Sequence, residues 1–164
     1  MEFKDDIVYD SYYLINLFTN DNMNVTQLQV QKLMYFFEAY YMNLKDVDFL
    51  YECPFKAWAF GPVAIPLYQR YKSLGSSNIV LTNEEQKTGN SINSEKKEIL
   101  KEIYDVFGKR LNAMELVNYT HLKDSPWDKK WNENNKKVIY GDKSNIDKLE
   151  TKKWFKEIFL KSDE

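Results

Sequence analysis

At 164 residues, with 43% hydrophobic and 29% charged side chains, the chain is long enough to bury a core and reads as one domain over residues 1–164. A net charge of −2 argues against bulk electrostatic binding of nucleic acid, and a single cysteine, Cys53, excludes an internal disulfide or a cysteine-based zinc cluster. No long apolar run opens the sequence, so neither a signal peptide nor a membrane span is expected, and the chain reads as cytoplasmic.

Ile7 to Phe18 has helical periodicity, with Val8, Tyr12 and Ile15 on one face and Leu14, Leu17 and Phe18 widening it. The second helix has the clearest start: Thr26 as N-cap, Gln29 completing a capping box, and Val25 and Val30 placed as a hydrophobic staple. Val30, Leu33, Met34, Phe37, Tyr40, Tyr41 and Leu44 then trace an apolar face so broad that this helix is expected at the centre, packed on more than one side. Lys32 falls off that stripe among aromatics and reads as a side chain that snorkels to solvent rather than as a catalytic one.

The sharpest change of local structure comes next. Phe55 to Phe60 alternates and suits an extended segment, Gly61-Pro62 makes a tight corner, and Pro66 starts a helix through Tyr71 that ends near Gly75. Trp58 and Phe60 are expected to aim inward from that corner. Ile79-Val80-Leu81 is short and β-branched, and is expected to pair with Phe55–Phe60. The fold class that follows is mainly α: a compact multi-helix domain with a minor two-stranded β element near residues 55–60 and 79–81.

Thr82 and Glu85 form a second capping box, and Thr88 to Ser94 reads as a mobile loop around Gly89. Ser94 caps a helix carrying Ile99, Leu100, Ile103, Tyr104 and Phe107, closed by Gly108. Asn112 and Glu115 make a third capping box, for a helix ending near His121. Ser125-Pro126-Trp127 opens another helix, with serine as cap and proline at its first position. Asn132 to Ser144 is polar and lysine-rich, and Asp147 and Glu150 open the last helix.

The residues for chemistry are few. His121 is the only histidine, and no nucleophile motif accompanies it. Its expected role is a hydrogen bond that closes its helix end against the Ser125-Pro126-Trp127 turn. A Cys53–His121 pair, or His121 as a general base near Lys32, is the enzymatic alternative. Asp46, Asp48 and Glu52 lack the glycine and spacing of a calcium loop, and the five glycines stand singly, so no phosphate-cradling loop exists. No catalytic set, cofactor or metal is expected.

Three blocks belong together. They are Thr26–Phe36, with Gln31-Lys32-Leu33 at its centre; Ala57–Val63 (Ala-Trp-Ala-Phe-Gly-Pro-Val) with Pro66, Tyr68 and Tyr71-Lys72; and Thr120-His121 with Ser125-Pro126-Trp127. In this order they resemble the Panacea domain family, the SocA-like antitoxins also described as GepA-type phage-associated proteins, over about residues 7–159. The middle block is the most specific. The resemblance implies a small, mainly helical, non-enzymatic antitoxin that binds a cognate protein toxin encoded nearby. From its charge and the lack of a long apolar run, neither nucleic acid nor membrane is expected as a direct partner. One member of the family delivers its toxin to the ClpXP protease, so a ClpXP-type protease is a further implied partner. The alternative is a phage or mobile-element factor acting on a host defence or protease. Some members add a helix-turn-helix domain; with the first family helix starting at residue 7, none is expected here. The motif residues that carry over, as partner-binding or family-motif positions, are Lys32, Tyr35, Trp58, Gly61, Pro62, His121, Pro126 and Trp127. Trp58 and Trp127 are expected in the core.

Overall fold

The computed structural model describes the chain from Phe3 to Lys161. Among these residues it is mainly α-helical: α1 (Phe3–Asn20), α2 (Gln27–Lys45), α3 (Ile65–Tyr71), α4 (Asn83–Asn90), α5 (Ser94–Ile103), α6 (Ala113–Thr120), α7 (Pro126–Glu133) and α8 (Lys148–Phe155). One β-hairpin joins β1 (Phe55–Trp58) to β2 (Gly61–Ala64). Single π-helical turns, Tyr104–Gly108 and Lys156–Leu160, extend α5 and α8.

α2 is the axis of the fold. The ten residues from Val30 to Ala39 are all buried, and α1, α3, α5, α6, α8 and β2 pack around them. Its start follows the local signal: the Gln29 side chain accepts from the Thr26 N–H at 2.9 Å, and Val25 and Val30 are both buried. Its apolar face fades toward the C-terminus, where Tyr40 and Tyr41 are half-buried and Leu44 is exposed. A helix buried on all sides needs its polar groups satisfied. Glu38 accepts the Leu50 and Tyr51 N–H groups and the Lys148 ammonium, and Tyr35 exchanges a hydrogen bond with Thr151 across to α8. Phe36 meets Phe107, Phe155 and Phe159 in an aromatic cluster.

The capping boxes at Thr82/Glu85 and Asn112/Glu115 form as read, and Ser125 caps α7 with Pro126 at its start. Asn93 rather than Ser94 caps α5, accepting from Lys96 N.

Two segments depart from the sequence reading. Ile79–Leu81 is not a strand and does not pair with β1; the partner of β1 is β2. The Ile79 N–H instead bonds Val25 O at 2.9 Å, and Ile79 and Leu81 are buried while Val80 is 87% exposed. The segment is extended chain laid beside the entry to α2. Thr88–Asn90 is helix rather than loop, because Gly89 is where α4 crosses α1. A Cβ built on Gly89 would stand 2.7 Å from the backbone of Tyr12 and Tyr13. Those atoms belong to the α1 ladder and cannot yield. Gly89→Ala is therefore expected to destabilise the protein by on the order of 1–2 kcal/mol, overpacking outweighing the gain in helix propensity. A lower urea midpoint with an unchanged m-value would show it.

Candidate functional site

The hairpin turns at Ala59-Phe60. Neither residue has a positive φ, so this is not one of the primed turns; Gly61 follows immediately at φ +104° and supplies the left-handed step. Phe55 and Ala57 point into the core and their alternate partners do not. Trp58 is thus half-buried and Phe60 is 63% exposed, which corrects the expectation that both aim inward. The strand takes this parity because Phe55 docks edge-on against Tyr35 of α2, ring centres 5.2 Å apart, and one strand cannot bury both faces here.

Four residues brace the hairpin from beneath. Gln31 Oε1 accepts from Ala64 N at 2.9 Å and Gln31 Nε2 donates to Ala64 O at 3.1 Å. Lys32 Nζ donates to Pro62 O at 3.0 Å. Trp127 Nε1 donates to Trp58 O at 2.7 Å. The Ile146 N–H bonds Phe55 O at 2.8 Å. Gly61 makes the arrangement possible: a Cβ there would come 2.7 Å from Lys32 Cε and 2.8 Å from Thr120 Oγ1.

Lys32 does not snorkel. It is fully buried, and the hairpin and Thr120 close over its stem. Burial without a counter-ion pushes its amine down to about 7. His121 caps the end of α6. It makes no side-chain hydrogen bond among the described residues and Nε2 is buried without a partner. It lies instead flat on Trp127, ring centres 3.6 Å apart and 7° from parallel. The hydrogen bond expected of it is made by Ser125, whose Oγ donates to Thr120 O at 2.7 Å. Burial, and next the Lys32 ammonium, lower the His121 imidazole below its ordinary value, leaving it neutral at pH 7. Trp127 is core, as expected, in a small cluster with Ala57 and Ile146. The Trp58 indole nitrogen is a second buried polar atom without a partner among the described residues.

The structure therefore brings Lys32, Trp58, Gly61, Pro62, His121, Pro126 and Trp127 into one corner formed by α2, the hairpin and the α6–α7 turn. Tyr35, bonded to Thr151 and packed on Phe55, sits on α2 under the other end of β1. Cys53 lies elsewhere. The groups that act on it are Lys148 and Glu38, those that act on His121 are Lys32 and Asp128, and burial pushes the thiol up to about 11. Sequence reasoning missed Gln31 and Thr120 as members of the corner. Both stood inside the quoted blocks, beside Lys32 and His121, but a glutamine or a threonine on a helix carries no signal of such a contact. Among the described residues no three His, Cys, Asp or Glu side chains are grouped to hold a metal ion, and no helix is long and apolar enough to cross a membrane.

Residues 30–128 match the family model described as antitoxin SocA-like, Panacea domain. That stretch runs from the first buried turn of α2 into α7 and contains every residue of the corner. No curated protein and no solved structure matches the chain.

Proposed function

Because this chain belongs to the SocA-like antitoxin family with its Panacea domain, we propose that it neutralises a cognate protein toxin by binding it directly, without a catalytic step. The observation that carries this reading is that the motif residues form a scaffold. Lys32 is shut away from solvent on a backbone carbonyl, Pro62 and Gly61 set the hairpin, and Trp127 ties it to α7. Side chains used in this way position a surface; they do not present a nucleophile and a base to a substrate. Of the two enzymatic pairings, Cys53 and His121 stand in different surroundings, and Lys32, although it shares the corner with His121, is fully buried on the Pro62 carbonyl.

Growth decides it. The gene next to this one, induced alone, is expected to arrest growth, and co-expression of this chain is expected to restore it, with the two proteins co-purifying. Rescue without co-purification, together with a toxin half-life that shortens only when ClpXP is present, would place neutralisation in delivery to a protease. A harmless neighbour and no rescue would remove the antitoxin reading in favour of a phage factor acting on the host.

A further inference from the structure

Phe60 stands at the tip of the hairpin, 63% exposed, in a chain that buries most of its phenylalanines. Single exposed hydrophobic residues are ordinary on protein surfaces. This one differs in what lies under it. The two residues of the turn are flanked by strands whose backbone is clamped by Gln31, Lys32, Trp127 and Ile146. The fold commits a buried lysine and a positive-φ glycine to fixing a turn whose own side chain adds little to the core. Two residues before it in the chain, Trp58 meets Tyr68 edge to face, ring centres 5.1 Å apart, with Tyr68 38% exposed and Lys72 Nζ 5.9 Å over its ring. The tip is thus an aromatic knob with a basic flank, held in one geometry before any partner arrives. Aromatic anchors dominate protein interfaces, and an anchor ordered in advance loses little freedom on binding.

We propose that Phe60 is the anchor this chain inserts into an apolar pocket on its protein toxin, with Trp58 and Tyr68 lining the rim and Lys72 facing a carboxylate of that partner. This rests on the antitoxin reading above and names the surface that serves it.

The test uses the full chain and the purified product of the neighbouring toxic gene. Wild-type binding is measured first; if the wild type binds no such product, the antitoxin reading fails and takes this proposal with it. Given wild-type binding, Phe60→Ala is expected to keep the wild-type circular dichroism spectrum and urea midpoint, because the side chain is exposed, and to weaken toxin binding by at least ~10-fold. Phe60→Trp, which keeps an aromatic knob, is expected to bind more tightly than Phe60→Ala. A comparison variant, Val106→Asp, alters the open groove of about 540 Å³ lined by Phe107, Tyr119 and Phe159, and is expected to bind as wild type does. Folded Phe60→Ala that binds within about twofold of wild type overturns the proposal. Loss of binding in a folded Val106→Asp with Phe60→Ala unaffected would overturn it too, and would move the interface to the groove.

Discussion

Gly61→Ala is expected to cost the fold on the order of 4 kcal/mol, a large share of the stability of a domain this size. Two effects add. At φ +104° an alanine is strained wherever its Cβ points. The Cβ would also come 2.7 Å from Lys32 Cε and 2.8 Å from Thr120 Oγ1. A lysine stem ordinarily yields to such a contact by swinging into water. Lys32 is fully buried, so it yields only by abandoning Pro62 O and pushing against the core. Thr120 is held by its own bond to Val117 O at 2.7 Å. Gly75→Ala separates the two effects. Gly75 also has a positive φ, +57°, but nothing lies within 4 Å of its would-be Cβ. Its substitution is expected to cost only about 1 kcal/mol of backbone strain. Urea unfolding of the two variants beside wild type is the measurement. Equal losses would mean that Lys32 and Thr120 relax freely and that the corner is not braced as described.

The corner shows which parts of this fold were legible in the sequence. Helix starts were, because a cap is a local matter: Thr82 with Glu85, Asn112 with Glu115, and Ser125 before Pro126 each settle a start from four residues. The centrality of α2 was legible for a similar reason, since a helix apolar on more than one face has to be covered. The pairing of β1 was not. Ile79–Leu81 has better strand residues than Gly61–Ala64, which contains a glycine and a proline, yet the two-residue turn at Ala59-Phe60 brings β2 alongside at almost no loop cost. Parity was missed too: alternation shows that one face is buried, and which face depends on Tyr35, twenty residues earlier, receiving Phe55. The resemblance to the Panacea family named the corner residues without saying what they do. Their geometry supplied that, and His121 is the instructive case, expected to bond and found stacked.

Lys32 is expected to make the protein gain stability as the pH rises through and above neutrality. In the fold its amine is pushed down to about 7 by burial, from the value of 10.5 ordinary for a lysine. Between those values the unfolded chain holds a proton that the folded chain does not, so raising the pH favours the fold. Below about pH 7 the amine is charged in both states and the full cost of burying it is present. Above about 10.5 it is neutral in both and the cost is gone. Other groups titrate over the same range, so the useful quantity is a difference. Lys32→Met keeps the unbranched stem of the side chain and removes the charged amine. Its stability relative to wild type is expected to be greatest near pH 6 and to fall by about 2 kcal/mol between pH 7 and pH 9. Losing the bond to Pro62 O costs the variant about 1–3 kcal/mol at every pH, which displaces the difference without tilting it. Burial lowers His121 below its ordinary value, so its titration lies on the acid side of that window. A difference flat from pH 7 to pH 9 would mean that the amine keeps an ordinary value, and hence reaches water or a carboxylate. The expected slope would instead fix the brace beneath the Phe60 tip, above neutral pH, as an uncharged amine on a backbone carbonyl. A group in that state is silent to partners outside. It belongs to the scaffold, and recognition is left to what the scaffold holds up.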